Sequence, residues 1–304
     1  MAISRAQLVK ELEPGLNALF GLEYKRYDNQ HAEIYTNESS DRAFEEEVMF
    51  SGFANANVKV EGSGVNYDQS QETYTARYTH DTIALAFAIT EEAIEDNLYD
   101  KISSRYTKAL ARSMSNAKQV KAAAPLNNGL PSVDGFDSGD GVSLFNTSHT
   151  TVSGTAVSNT LSTQADLNET SLEQALIDIA SFTDERGLRV AAKGMKMIIP
   201  SANQFSAERL LKSQGRTGTA DNDINAVVSM GMVPQGYRVN NFLTDSDSWY
   251  IITDVPNGMK MFTRAPLATA MEGDFDTGNV RYKARERYSF GVSDYRGIFG
   301  CEGA

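Results

Sequence analysis

Few residues in this chain could do chemistry, and they are scattered. The three histidines, His31, His80 and His149, never approach the H-E-x-x-H spacing that puts two imidazoles on one helix face for zinc. His149 stands between Ser148 and Thr150, hydroxyls that an imidazole could activate as nucleophiles. The plainer reading is a solvated surface histidine. The acidic turns at Asp134, Asp137 and Asp140 and at Asp274 and Asp276 hold carboxylates in loops, the usual calcium ligands, but neither follows D-x-[DN]-x-[DN]-G. Asp and Gly favour turns for local reasons, and that is the reading adopted. G-x-S-x-G, G-x-x-x-x-G-K and G-x-G-x-x-G are all missing, which weakens hydrolase, NTPase and dinucleotide readings. Cys301 is the single cysteine and has no partner in its own chain for a disulfide. No catalytic residue, metal ligand or cofactor is assigned.

Composition narrows the partners. The 304 residues carry 40 Asp and Glu against 28 Lys and Arg, a formal charge of -12. Affinity for phosphate comes from clustered Lys and Arg, so bulk charge opposes nucleic acid and any contact with DNA must be local. The apolar share of 41% and charged share of 22% fit a globular chain that buries a core. Residues 1–10 contain no apolar run of signal-peptide type, and no stretch approaches the ~20 apolar residues of a membrane span.

The elements that would position these residues follow from periodicity. Residues 4–20 predict a helix, with Ser4 and Gln7 at capping-box spacing, Leu8, Leu12, Leu16 and Leu19 on one side, and a kink or split at Pro14. In residues 54–89, Val58 and Val60 alternate with Lys59 and Glu61, Gly62-Ser63-Gly64 supplies a turn, and Tyr74, Ala76 and Tyr78 alternate with polar residues. This predicts a long two-stranded arm with a polar middle, marginal in isolation. Residues 61–75 should contribute little to their own chain's core. Ile83, Leu85, Phe87 and Ile89 then alternate with alanines in a core strand. Thr90 is placed as N-cap of a long helix reaching Ala124, with Ile94, Leu98, Ile102, Tyr106, Leu110 and Met114 every fourth residue and Ala117, Val120 and Ala124 continuing the apolar side. Residues 125–165 read as a long surface loop.

A mixed unit follows. It opens on a helix with Thr170 and Glu173 as capping box, then a buried strand to Ile199 stopped by Pro200, a short helix with Phe205, Leu210 and Leu211, and strands at 237–239 and 249–252. Residues 280–292 form a final long strand. One face carries Tyr282, Ala284, Tyr288 and Phe290, interrupted by Glu286; the other carries Arg281, Lys283, Arg285 and Arg287. Such a row would be solvated, salt-bridged or in contact with a polyanion.

The order of parts resembles the tailed-bacteriophage major capsid (major head) protein family over essentially the whole chain. The sharpest stretches are Leu144-Phe145-Asn146-Thr147-Ser148-His149, Ala207-Glu208-Arg209-Leu210-Leu211-Lys212-Ser213, Asp221-Asn222-Asp223-Ile224-Asn225-Ala226, and the run from Phe275-Asp276-Thr277-Gly278 through Tyr282-Lys283-Ala284-Arg285-Glu286-Arg287-Tyr288 to Asp294-Tyr295-Arg296-Gly297. The terminal run is similar to the Mu-type head subunit branch. The resemblance implies an α+β tailed-phage major capsid fold: N-terminal arm (1–50), extended β-hairpin loop (51–82), peripheral domain with a long spine helix (83–124), axial mixed α/β domain (125–256) and return strands of the peripheral domain (257–304). It implies a non-enzymatic virion protein, assembled in the host cytoplasm as pentamers and hexamers of an icosahedral shell. The shell would enclose double-stranded DNA without sequence-specific binding and touch no membrane. Partners would be a portal and, since only residues 1–50 precede the loop, a separate scaffolding protein. On this reading Lys59, Glu61, Tyr67, Tyr74, Arg281, Arg285 and Arg287 become intersubunit contacts, with Glu45, Glu46 and Glu47 of a neighbour facing the basic row. The rivals are a nanocompartment shell protein of the same fold, enclosing a cargo enzyme, and a hydrolase built on the mixed unit around residues 166–255, which a turnover assay after replacing His149 would test.

Overall fold

The computed structural model describes residues 5–90, 92, 99–133, 135–216, 223–274 and 278–304. Ser4, Ile94, Leu98, Asp134, Asp276 and parts of two of the family-like runs (221–222 and 275–277) lie outside these, as do the side chains of Leu8, Leu12 and Ile102.

Two four-stranded sheets carry the fold. The first has the order β1 (Thr36–Ser39), β10 (Met259–Gly273), β11 (Val280–Val292), β4 (Asp81–Ile89), with β1 parallel to β10 and the rest antiparallel. The alternation in β11 decides which side is covered. Tyr282 and Ala284 pack against Leu16 and Phe20 of helix α1 (Arg5–Arg26) and Leu110, Ala111 and Met114 of helix α2 (Tyr99–Asn128), while Arg281, Lys283 and Arg285 stay exposed.

Helix α2 is a rod of about 45 Å. Its buried face differs from the apolar stripe read in the sequence. Tyr106 and Val120 are half exposed, whereas Ser103, Thr107, Ser115 and Gln119 are buried beside Leu110 and Met114. Small polar side chains let the helix lie close to its neighbours, and Gln119 bonds at both ends of its amide, to the His31 amide and the Asp28 carbonyl. The helix also passes Pro125 and ends at Asn128. Pro14 does not split α1: a proline removes one hydrogen bond, and the turns beyond it are held by the docking of Leu16 and Phe20. Truncating Leu110 to Ala is expected to cost about 2–5 kcal/mol, measured as a lower denaturation midpoint at unchanged slope. An unchanged midpoint would mean that α1 and α2 do not pack in solution.

The second sheet has the order β12 (Ile298–Cys301), β9 (Trp249–Thr253), β7 (Gly194–Ile199), β8 (Tyr237–Val239). Its Met197, Ile199, Trp249, Tyr250, Ile251 and Phe299 are buried with Leu172, Leu176 and Ile179 of helix α3 (Glu169–Ala180). Asn168 caps α3 reciprocally with Ser171; Thr170, expected to cap, lies inside the helix. Pro200 ends β7 ahead of helix α4 (Gln204–Lys212). The two sheets meet where Gly258 and Gly297 touch backbone to backbone: a Cβ on Gly297 would lie 2.3 Å from the Gly258 Cα.

The 125–165 segment is not a loose surface loop. Leu144, Phe145, Val157 and Leu161 belong to the main core, and His149–Thr150 (β5) pairs with Ala156–Val157 (β6). The two-stranded arm is shorter than expected and differently paired. Strand β2 (Phe44–Phe50) pairs with β3 (Glu72–Thr79), and residues 51–71, Val58 and Val60 among them, form no strand.

Candidate assembly interface

The exposed loop projects from a rigid base. In β3, Tyr78 and Ala76 pack with Phe262, and the Tyr78 hydroxyl donates to Ser293 Oγ at 2.5 Å while Ser293 donates to Glu47. Glu47 also holds Lys260 Nζ at 2.5 Å, with Glu38 at 3.1 Å from the same ammonium. Burial works against the Lys260 charge, but these carboxylates outweigh it and raise its pKa. A second link runs through His80, whose Nε2 and Nδ1 each lie 2.9 Å from a hydroxyl, Ser40 and Ser289. Ser40 donates onward to Glu45, so it accepts from Nε2, and Nδ1 accepts from Ser289. That is a neutral imidazole, consistent with burial and the nearby Arg287 lowering its pKa. Glu46 lies 3.8 Å from Arg77. The Glu45, Glu46 and Glu47 carboxylates expected to reach a neighbour are thus engaged within their own chain.

Beyond this base the loop has little to rest on. The Asp68 carboxylate staples its limbs by accepting from the Ala54 amide at 2.7 Å, and Arg186 holds the Gln69 carbonyl at 2.6 Å. Past the staple, Val58, Val60, Val65 and Tyr67 are exposed, Tyr67 at 97%. Lys59 and Glu61 are exposed with them, at a turn where Gly62 takes φ 80°. Tyr74 is different. It packs on the main core, its ring 6.4 Å from that of Tyr295, so the expectation that it waits for a neighbour, and that residues 61–75 are dispensable as a block, is corrected at β3. Arg281, Arg285 and Arg287 do share one row. Arg281 pairs with Asp274 and Arg287 donates to the His80 carbonyl.

The residues that invited a catalytic reading form a closed knot. His149 is fully buried, not solvated as expected. Its Nδ1 lies 2.7 Å from Asp140 Oδ2, its Nε2 3.1 Å from Asn159 Oδ1, and its ring stacks on Tyr295 at 3.9 Å. A catalytic imidazole bonded to an aspartate would present its second nitrogen to a nucleophile; here that nitrogen faces an amide oxygen, and the Asn159 amide nitrogen is committed to backbone carbonyls. Burial pushes the Asp140 carboxyl up, but hydrogen bonds from His149 and Ser138 outweigh it and hold its pKa below the ordinary value. Beyond Tyr295, Arg296 stands over the ring at 4.5 Å and bridges Glu185 at 2.5 Å and Asp294 at 3.3 Å, all three buried. Nothing in residue type or spacing marked Asn159 or Glu185 as members. Among the described residues no three His, Cys, Asp or Glu side chains converge as a metal site.

His31 is buried between the end of α1 and α2. Burial first, and Lys118 second, pull its pKa down to about 4. A histidine depressed by folding holds its stabilisation above its unfolded pKa of 6.5 and loses it as pH falls toward the folded value. Between pH 6.5 and about 4 the chain is therefore expected to lose at most about 3 kcal/mol through this group. Melting curves of native and His31→Phe protein across that window test this, the variant showing the shallower decline; parallel declines would refute it.

A body whose polar clusters are bonded within itself, carrying a long loop whose apolar side chains beyond the Asp68 staple lie exposed, has the form of a structural building unit. Residues 73–300 match the family described as phage capsid protein, and the chain belongs to that family: it is a capsid shell protein. No curated protein matches it. Solved structures share the fold at low identity. The capsid of an empty GTA particle aligns with TM-score 0.57 and 12% identity, covering 91% of each chain. The procapsid of bacteriophage JBD30 gives 0.55 and 14%, covering 99% of this chain and 77% of that one. A virus-like particle from Pyrococcus furiosus gives 0.53 and 11%, covering 95% and 98%.

Proposed function

We propose that this chain is the major head protein of a tailed phage of the Mu-type branch and that its work is self-assembly. Copies would associate as pentamers and hexamers of a closed icosahedral shell around double-stranded DNA, with a portal and a separate scaffolding protein as partners, assembled in the host cytoplasm. The first sheet with α1 and α2 would serve as the peripheral part and the second sheet as the axial part, with no catalytic step. The observation that carries this reading is the exposed loop, 51–71, on an anchored base: its valines and Tyr67 gain nothing from their own chain, and a neighbour would cover them. The nanocompartment rival shares the fold; the family match favours the phage head.

Electron microscopy of the purified chain, expressed alone and with the scaffolding protein from its own gene neighbourhood, tests the proposal. Closed shells are expected. Protein that stays monomeric in both preparations, or shells isolated from the native source carrying an enzyme in place of DNA, would overturn it. The free subunit is expected to bind duplex DNA weakly and without sequence preference, since the net charge is -12 and the basic row is short. Tight, sequence-specific binding at physiological salt, read by fluorescence anisotropy, would contradict this.

A further inference from the structure

We propose that residues 55–60 of a second copy of this chain add to the free edge of β4 as a fifth strand of the first sheet. The inference rests on the loop reading above and names where the loop lands. Two unsatisfied surfaces point to each other.

The first is β4. It ends its sheet, paired to β11 on one side only, and among the described residues no backbone group on its outer edge has a partner. Its sequence, Asp81-Thr82-Ile83-Ala84-Leu85-Ala86-Phe87-Ala88-Ile89, is long, apolar and β-prone. Past Asp81 it has none of the charged side chains, prolines or bulges with which an edge is usually protected. The second is the run Asn55-Ala56-Asn57-Val58-Lys59-Val60. It alternates strictly, lies between the staple at Ala54 and the turn at Gly62, and its amides donate to nothing among the described residues. It reads as a strand in sequence and lacks only a partner.

The two alternations agree. In β4, Ile83 and Phe87 face the helices, with Phe87 5.7 Å from the Tyr106 ring, and on that side Leu85 at 46% and Tyr106 at 50% remain exposed at the edge. The other side carries the exposed Ala84, Ala86 and Ala88, in register with Arg285, Lys283 and Arg281. An added strand that sets Ala56, Val58 and Val60 on the helix side covers Leu85 and Tyr106. Its Asn57, Lys59 and, past the run, Glu61 then fall on the face of the basic row, where Lys283 and Arg285 have no ion pair among the described residues. A one-residue slip would put the valines among the cations and the polar set against Leu85, so the parity is specified. Main-chain bonds would give the affinity and the alternate side chains the specificity.

Hydrogen exchange read by mass spectrometry on free subunits and on closed shells tests this. In shells, residues 55–60 and the outward-pointing amides of 82–88 are expected to slow together by at least about tenfold, both sets exchanging fast in the subunit, while the inward amides of 82–88 are already slowed there by pairing with β11. A cysteine pair at Ala86 and Asn57 or Lys59 is expected to crosslink between subunits in shells, the native Cys301 being buried. If replacing the loop stops shell formation while 82–88 exchanges equally fast in native shells and subunits, the strand addition is wrong and the loop reading stands. Shells that form normally without the loop overturn both.

Discussion

Replacing residues 53–70 with a short Gly-Ser turn is expected to leave a soluble, cooperatively melting subunit that builds no closed shells. The cut keeps the hydrogen bond from the Ser51 amide to the Gln71 carbonyl and the whole of β2 and β3, so the anchor through Glu47, Lys260 and Ser293 survives. What is removed is exposed, and shortening a surface loop lowers its closure cost. The melting temperature is expected to move by no more than about 4 °C, the equivalent of about 1 kcal/mol in a chain this size. On the proposed reading assembly should fail altogether, because the exposed valines and Tyr67 removed with the segment are the surface a neighbouring copy would cover. Micrographs of normal shells from the shortened chain would refute the role of the loop. A chain that unfolds would place the segment in the core.

Arg296→Ala is expected to have the largest effect on stability. It strips Glu185 and Asp294, both buried, of their shared counter-ion and leaves the Thr183 carbonyl without its donor. Breaking a buried pair from one side typically costs about 3–5 kcal/mol, a large part of a total of about 5–15 kcal/mol. The pH dependence gives a second signature. Burial already raises the Asp294 pKa against the pull of Arg296, and a carboxyl raised by folding loses stability as pH rises through its folded value. Without Arg296 that rise grows, so the deficit should be greatest near neutral pH and shrink on acidification. A denaturation midpoint within about 1 kcal/mol of native at pH 7 would mean that water reaches the cluster.

Which parts could be read from the sequence follows from what each element buries. Strand β11 was legible to its ends, because Tyr282, Ala284 and Tyr288 bury one face and Arg281, Lys283 and Arg285 mark the other. Strand β2 was not. Its inward residues include Glu45 and Glu47, whose burial is offset by Ser40 and Lys260, and an acid facing inward is invisible to apolar periodicity. The same cause hid the loop's true pairing: Val58 and Val60 have the right alternation but pair with no strand among the described residues, while β3 takes Phe44-Glu45-Glu46-Glu47-Val48 as its neighbour. His149 read as solvated because its flanks are hydroxyls. It is buried by long-range hydrogen bonds to Asp140 and Asn159 and by Tyr295, none of which local composition reveals. In α2 the buried Ser103, Thr107 and Ser115 look like surface residues by type, and only packing distinguishes them from Tyr106 and Val120. The candidate contacts divided likewise. Lys59, Glu61 and Tyr67 sit where a polar, turn-rich run predicts, whereas Tyr74 belongs to the body because its strand continues into Tyr78.

The crossing of Gly258 and Gly297 bears on how this chain can drift over generations. Both positions already hold the smallest residue, so a side chain gained at one has no compensating reduction available at the other. Insertions and substitutions can accumulate in the loop and on the helix exteriors, but these two codons form a fixed point. Lineages that diverge nearly everywhere else should still spell glycine at both, or replace the crossing as a whole.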